Sequence, residues 1–396
     1  MTFSFVIVRF NSNLSDVGCR FLPAMIPTSF QLPTKLVCGH GRIADLGMLA
    51  TELDVNRVLV VSDPGIIAAG HTQPGIESLR TSHLEVRQFD GVEENPTTQH
   101  VQAGVTVAKA FQPDLIVGIG GGSSMDCAKG INFLYSCGGE MRDYWGTAKA
   151  TGPLLPMIAV PTTAGTGSET QSYALITDAT THLKMACGDK QAAFRTAILD
   201  PNLTLTQPPR VTALTGIDAT SHALESFVSK PRNWFSQGFS REAWRRLAKN
   251  FPRVLQNPDD QEARAQMQIG ACLSGIAIEN SMLGATHALA NPLTASFGIA
   301  HGEAVGLMLP HVIRVNGKAV GPDYATLMNE LSHQGVSSSA NTAVDRLANL
   351  VEEFVRQAGL AGKLSECGID GDRLPELAAA AAEQWTGQFN PVKLTL

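Results

Sequence analysis

The chain has 396 residues, of which 44% are hydrophobic and 17% charged, a composition that supports two domains with sizeable cores and excludes a disordered polymer. Its net charge of −6 gives no electrostatic reason to expect nucleic acid or an anionic membrane as a partner. Seven scattered cysteines form no Cys-x-x-Cys pair. This pattern argues against a disulfide framework and a thiolate zinc site, and it predicts a reducing compartment, the cytoplasm.

The first residues carry no recognisable targeting or membrane signal. No apolar run reaches the roughly 18 residues that span a bilayer. No positive charge precedes the short apolar patch at 5–8, so a secretory signal is not expected. Met25 opens a segment that reads like a natural beginning, and residues 1–24 are expected to be an extension without a role in the fold.

The first half alternates β-rich runs with helical patterns. Buried strands are predicted at 58–61, 115–119 and 157–160, and apolar residues at 101, 105, 108 and 111 predict a helix that Pro113 and Asp114 end. Such alternation favours a mostly parallel sheet with helices on both faces. We therefore predict an α/β N-terminal nucleotide-binding domain, a variant Rossmann fold, over 1–207.

A glycine loop follows the second of these strands. Gly120, Gly121 and Gly122 would let backbone N–H groups approach a pyrophosphate at a helix start, which Ser123 and Ser124 could cap. The alternative is a tight strand-to-helix turn. A standard dinucleotide fingerprint follows the first strand of its unit, whereas this loop follows a later one, so either the domain is a variant or the loop is only a turn.

Two further loops end predicted strands. Asp63 could accept hydrogen bonds from an adenosine ribose, or it could only initiate an Asx-turn before Pro64. The Thr-rich loop 161–169 lies where ligands bind in open α/β folds, although it could be a polar helix cap.

The second half changes to long helical patterns, which predict an all-helical C-terminal domain over 208–396. Apolar spacing over 344–358 predicts a helix that Gly359 closes. The stretch 261–289 is rich in Ala, Gly and Ser, as expected for a helix packed closely against its neighbours.

Four ligand-type side chains lie in these Ala-rich segments. Asp218 and His222 are four residues apart and project from one helix face, and His287 and His301 follow. A lone histidine is usually a hydrogen-bonded core residue. Burying each of these side chains unpaired would cost about 1–3 kcal/mol, which a shared divalent ion would offset for the whole set.

Together these motifs resemble the iron-containing (group III) alcohol dehydrogenases over about 33–392. The resemblance rests on LPTKLVCGHG, VLVVSDPG, ENPT, GIGGGSSMDCAKG, PTTAGTGSE, GIDATSHALE, GATHALANPLTASFGIAHGEAVGLMLPHV and the late Asn390-Pro391. It implies a dehydroquinate-synthase-like fold, in which a cleft between a nucleotide-binding domain and a helical domain holds metal and nicotinamide.

The resemblance also implies residue roles. The expected metal ligands are Asp218, His222, His287 and His301, and the expected catalytic positions are Asn291 and His301. The expected cofactor-binding residues are Asp63, Asn95, Gly121, Gly122, Ser123, Asp126, Thr162, Thr163, Thr166, Leu175 and Lys184. An acid at position 63 favours NAD, because it repels the 2′-phosphate of NADP.

Asn291 departs from the family pattern. Many relatives carry a histidine here that lies beside the nicotinamide and is often assigned to proton transfer, whereas an amide does not titrate near neutral pH. The alternative is that Asn291 merely caps the helix before Pro292.

The resemblance implies reversible hydride transfer between a small alcohol or aldehyde and NAD, with one divalent metal, Fe²⁺ first and Zn²⁺ or Ni²⁺ as alternatives. It also implies a homodimer or larger homo-oligomer. Three alternatives stay open: a metal- and NAD-dependent lyase of the same fold, a metal-free reductase of that fold, and a non-catalytic nucleotide-binding protein.

Overall fold

The computed structural model describes residues 29–331 and 340–394. The expectation that residues 1–24 are a dispensable extension concerns residues outside these ranges. From Gln31 onward the chain forms one compact unit. Among the helices described, none is both long and apolar enough to cross a membrane.

The first half is built on strands. They are β1 (Lys35–Cys38), β2 (Arg57–Val61), β3 (Glu85–Phe89), β4 (Leu115–Gly120), β5 (Gly146–Thr147), β6 (Met157–Pro161), β7 (Tyr173–Thr177), β8 (Lys184–Gly188) and β9 (Thr196–Leu199). Six of them form a fully parallel sheet in the order β1-β9-β6-β4-β2-β3. A second sheet, β5-β8-β7, pairs β7 and β8 antiparallel. The three predicted strands are confirmed as the adjacent strands β2, β4 and β6.

Helices cover both faces of the large sheet and make up the second half. They are α1 (Leu46–Thr51), α2 (Pro64–Ala68), α3 (Thr72–Thr81), α4 (Thr98–Phe111), α5 (Gly122–Cys137), α6 (Pro209–Val228), α7 (Trp234–Gln256), α8 (Gln261–Glu279), α9 (Ala285–Phe297), α10 (His301–Asn329), α11 (Ala340–Gln357) and α12 (Leu374–Ala382). The predicted architecture, an α/β part followed by a helical part, is confirmed.

The central strands are buried on both faces because alternate side chains enter different cores. Leu59 and Ile116 pack with α4 and α5, whereas Val58 and Val117 pack with α1 and α3. A third core lies among the helices of the second half and includes Trp244, which is fully buried. Continuous apolar runs of this kind are typical of parallel strands covered on both sides.

One helical expectation is wrong. The Ala-, Gly- and Ser-rich stretch 261–289 is not a single helix, because α8 ends at Glu279 and α9 begins at Ala285. Asn280 Nδ2 turns back to donate to the carbonyl of Ile276 at 3.0 Å. Gly284 then has a non-helical backbone, with φ −143° and ψ −138°. The break places His287 in the first turn of a new helix.

Candidate functional site

Three loops meet at the carboxyl edge of the large sheet. They follow the neighbouring strands β2, β4 and β6, and the backbone N–H of Thr162 donates to the carbonyl of Gly120 at 2.9 Å. From β2 the chain moves outward to β3 and then returns to place β4 on the opposite side of β2. The glycine loop after β4 therefore lies at a topological switch point, where open α/β sheets bind ligands. This explains its late position in the sequence.

Asp63 connects two of these loops. Its Oδ1 accepts from the backbone N–H of Ile66 at 3.0 Å and so caps α2, and its Oδ2 accepts from Ser124 Oγ at 3.2 Å. Asp63 therefore does initiate the local turn before Pro64 that the sequence offered as its alternative role. Gly120 has φ +149°, and a Cβ there would lie 2.4 Å from Ser124 Oγ, so this position requires glycine.

The first turn of α5 has no capping side chain. The helix begins at Gly122 with Gly121 as its N-cap, so the predicted caps Ser123 and Ser124 are wrong: both lie inside the helix, and the Ser124 hydroxyl bonds to Asp63. Gly121, Gly122 and Ser123 line the cleft described below. A helix start without side-chain acceptors offers N–H groups and a positive dipole end to an anion.

A buried lysine joins α5 to the Thr-rich loop. Lys129 Nζ donates to the carbonyl and hydroxyl oxygens of Ser168, at 2.9 and 2.8 Å, and to the carbonyl of Tyr173 at 2.8 Å. Ser168 Oγ in turn donates to Asp126 Oδ1 at 2.6 Å. Burial raises the pKa of Asp126, although the charge of Lys129 opposes the shift.

Other expected cofactor residues also line the cleft. Lys184 Nζ donates to Asn95 Oδ1 at 3.5 Å, and Asn95 adopts the left-handed conformation with φ +54°. The hydroxyl of Thr162 is buried and has no hydrogen-bond partner among the residues described. The cleft lining includes Asp63, Asn95, Gly121, Gly122, Ser123, Asp126, Thr162, Thr163, Thr166, Leu175 and Lys184.

The four expected metal ligands converge around one carboxylate oxygen. Asp218 Oδ1 lies 3.3 Å from His222 Nε2, 3.5 Å from His287 Nε2 and 3.7 Å from His301 Nε2. The two Nε2 atoms of His222 and His287 are 3.2 Å apart. Helix α6 presents Asp218 and His222 one turn apart, and the first turns of α9 and α10 supply the other two donors.

These donors fit a metal ion. Ligand atoms about 2.1 Å from one tetrahedral ion lie roughly 3.4 Å apart, which is close to the separations among Asp218, His222 and His287. The ligand atoms of these three residues all lie within 4.8 Å of one another, and His301 lies near Asp218 but outside this group. Asp218 Oδ1 is buried and has no hydrogen-bond partner in the described parts of the chain. A shared divalent cation would satisfy this oxygen and the imidazole lone pairs that face it.

Burial and nearby charges shift the pKa values within the quartet Asp218, His222, His287 and His301, and the imidazoles shift in opposite directions. Burial disfavours the charged form of His287, but the carboxylates of Glu225 and Asp218 outweigh it and raise the pKa of His287 to about 9. Burial lowers the pKa of His301. Burial would raise the pKa of Asp218, but the facing histidines hold it well below its usual range, so the carboxylate is ionised.

Asn291 lies inside α9, one turn after His287. The helix continues through Pro292 to Phe297, so the alternative that Asn291 caps a helix before Pro292 is wrong. Its Nδ2 donates to Gln384 Oε1 at 3.0 Å, and both side chains line the cleft.

The cleft that holds all these residues has a volume of ≈ 1730 Å³. Loops of the α/β part and the quartet Asp218, His222, His287 and His301 all line this cleft. The structure thus brings every site residue expected from the sequence to one cleft.

Sequence reasoning missed several residues of this site. Glu225 lies seven residues after Asp218 on α6, and its buried carboxylate contacts His287. Helical spacing from Asp218 and His222 could have identified it. The contacts of Lys129 with Ser168 and of Gln384 with Asn291 were not expected, because these partners lie 39 and 93 residues apart along the chain. Asn390 belongs to a motif of the resemblance, but its contact with Ala285, 105 residues earlier, was not expected.

Comparisons with known proteins match both halves of the chain to the same family. A family model described as iron-containing alcohol dehydrogenase matches residues 33–201, and one described as Fe-containing alcohol dehydrogenase family, C-terminal, matches 212–396. Alcohol dehydrogenase 4 of Schizosaccharomyces pombe is 35% identical over 373 residues, covering 94% of this chain and 87% of the relative. The NAD-dependent methanol dehydrogenase of Bacillus methanolicus is 31% identical over 364 residues, covering 92% and 96%.

A solved structure of a 1,3-propanediol oxidoreductase superposes with a TM-score of 0.90 at 30% identity, covering 93% of this chain and 96% of the other. The two family models together span both the sheet loops and the four histidine and carboxylate donors. The chain belongs to the iron-containing alcohol dehydrogenase family.

Proposed function

We propose that this protein is an NAD-dependent and divalent-metal-dependent alcohol dehydrogenase that transfers hydride between a small alcohol and nicotinamide. One observation carries the proposal: the quartet around Asp218 and the uncapped first turn of α5 line the same cleft. A metal donor set and an anion-binding helix start are the two sites that such an enzyme must bring together. The relatives' names, alcohol dehydrogenase, NAD-dependent methanol dehydrogenase and 1,3-propanediol oxidoreductase, support the same activity.

In this proposal Asp218, His222, His287 and His301 hold the metal. Three imidazoles and one carboxylate suit Fe²⁺, which we propose as the natural ion, and also Zn²⁺ or Ni²⁺. When bound, the ion supplies Lewis acidity towards the substrate oxygen, and NAD supplies the carbon that accepts hydride.

The α/β part binds and orients the dinucleotide. The uncapped N–H groups at the start of α5 would bind its pyrophosphate, and the Thr162 hydroxyl would supply a further hydrogen-bonding group. Asp63 would accept hydrogen bonds from the adenosine ribose and would repel a 2′-phosphate. We place the boundary between the nucleotide-binding and metal-binding domains at 207/208, just before α6 begins at Pro209.

Asn291 and Gln384, which also line the cleft, orient the reactants. The Asn291 amide does not titrate near neutral pH, so it cannot accept the alcohol proton. With its Nδ2 committed to Gln384, Asn291 keeps its Oδ1 as an acceptor for a donor in the cleft. The proton therefore leaves through hydroxyl groups and water rather than through this side chain.

The test combines metal analysis of anaerobically purified protein with an NAD-linked screen of alcohols and aldehydes. We expect stoichiometric divalent metal and NAD reduction with at least one primary alcohol, lost on chelation and restored by Fe²⁺ or Zn²⁺. Activity that survives complete metal removal would favour the metal-free reductase, and substrate conversion without net NADH would favour the lyase. Neither metal nor turnover would leave a non-catalytic nucleotide-binding protein.

A further inference from the structure

The first turn of α9 is held by side chains from two distant parts of the chain. Its N-cap residue, Gly284, has no side chain to satisfy the exposed N–H groups. Asn390 Oδ1 accepts from the backbone N–H of Ala285 at 3.2 Å, and Glu225 Oε1 accepts from that of Thr286 at 2.7 Å. The next residue is His287.

Glu225 also determines how His287 presents its ring. Its second carboxylate oxygen, Oε2, accepts a hydrogen bond from His287 Nδ1. Because Nδ1 keeps its proton for Glu225, Nε2 is the nitrogen that would lose a proton and bind a metal ion, and it faces His222 and Asp218. The Glu225 side chain is almost fully buried, so water does not compete for this bond.

The remaining hydrogen-bonding groups of the Asn390 side chain are all paired, which fixes its position. It exchanges two hydrogen bonds with the Asn316 amide of α10, at 2.9 and 2.7 Å, and its Nδ2 also donates to the carbonyl of Val392 at 2.8 Å. Helix α10 begins at His301, the fourth donor of the quartet. Asn390 thus connects the start of α9 to the middle of α10, the two helices that carry the late histidines.

Gly284 leaves the space that both side chains need. A Cβ at this position would lie 2.8 Å from Asn390 Oδ1 and 3.2 Å from Glu225 Oε1. A larger residue would therefore push one of the two acceptors away from the helix start.

We propose that Glu225 and Asn390 are positioning residues of the metal centre, which hold the first turn of α9 so that His287 Nε2 faces the ion. The inference rests on the proposed metal site. It gives Asn390, part of the late Asn390-Pro391 motif, a role that the sequence motif alone did not supply. Carboxylates behind a ligating histidine fix its tautomer and orientation, and their loss typically weakens metal binding about 10- to 100-fold.

The test measures Zn²⁺ affinity of the metal-depleted full chain by competition with a chromophoric chelator. We expect Glu225→Gln to weaken Zn²⁺ binding about 10- to 100-fold. Asn390→Ala should weaken it about fivefold, as expected for a lost helix cap. Circular dichroism should be unchanged in both.

Asp200→Asn is the matched control. Asp200 is a fully buried carboxylate that accepts from the backbone N–H groups of Gly41 and Ile43, at 3.0 and 3.1 Å, in the α/β part. Its replacement should lower stability and leave Zn²⁺ affinity unchanged.

Wild-type affinity in Glu225→Gln would overturn the role of Glu225, and wild-type affinity in Asn390→Ala would overturn that of Asn390. If Glu225→Gln does not fold, Asn390→Ala decides alone. A different result, in which the wild-type chain itself binds no Zn²⁺, would overturn the proposed metal site and this inference with it.

Discussion

Gly216 offers a direct test of the packing behind the proposed metal ligands. It lies on α6, two residues before Asp218, and a Cβ there would be 2.1 Å from Cε2 of Phe251. Carbon atoms in favourable contact are about 3.5–4.0 Å apart, so alanine would overlap the ring by roughly 1.4 Å or more. Phe251 is fully buried and packs edge-to-face on Phe354, with ring centroids 5.8 Å apart, so the ring has no free space.

The magnitude follows from comparison with Gly238, an exposed glycine of α7 whose Cβ would meet nothing within 4 Å. Glycine to alanine in a helix stabilises by about 0.5–1 kcal/mol, chiefly by restricting the unfolded chain, and this gain is common to both sites. Overpacking at Gly216 opposes it by about 1–3 kcal/mol. Gly238→Ala should therefore raise the free energy of unfolding. The free energy of unfolding of Gly216→Ala should be about 1–3 kcal/mol lower than that of Gly238→Ala.

Urea denaturation of both variants with chelator present measures this difference without a contribution from metal binding. Because Gly216→Ala also displaces α6, its Zn²⁺ affinity should fall, whereas Gly238→Ala should bind Zn²⁺ like the wild type. Equal stability of the two variants would refute this argument, because it would mean that α6 and the Phe251 ring can move apart without lowering the free energy of unfolding.

Three further outcomes are expected. Asp63→Gly should relax the preference for NAD towards NADP. Asp63→Asn keeps a good helix cap but removes the charge, so it should relax the preference in the same way. Equal kcat/KM for both cofactors in the wild type would contradict this. Asn291→His should add a titration near the unperturbed imidazole pKa of about 6.5 to the pH profile of alcohol oxidation and raise the rate at neutral pH; superimposable profiles would show that position 291 takes no part in proton transfer. His287→Ala should lose metal and nearly all activity while keeping its fold, and full metal occupancy in this variant would remove His287 from the ligands.

The central strands were predictable because both faces of β2, β4 and β6 are covered, which leaves continuous apolar runs in the sequence. The edge strand β3 was not predicted, since its sequence EVRQF mixes exposed charged residues with apolar ones. Similarly, the helical spacing of Asp218 and His222 correctly placed both on one face of α6.

Features that depend on distant partners were not predictable. Composition suggested one helix over 261–289, because Ala, Gly and Ser do not reveal that Glu225 and Asn390 satisfy a new helix start at Ala285. The serines after the glycine loop looked like caps, but the Ser124 hydroxyl bonds to Asp63, 61 residues earlier. Local patterns report local preferences, whereas these bonds form only when the chain has folded.

The cap from Asn390 has a consequence for biosynthesis. Ribosomes make the chain from its N-terminus at about 5–20 residues per second, and 105 residues separate Ala285 from Asn390. The start of α9 therefore waits roughly 5–20 s for its partner after it has been made. In a nascent chain, His222 and Asp218 should be in place before the ring of His287 is fixed. Iron or zinc that binds during translation would therefore meet an incomplete set of the proposed ligands. Metal acquisition at the proposed site is thus expected to follow the synthesis and packing of Asn390.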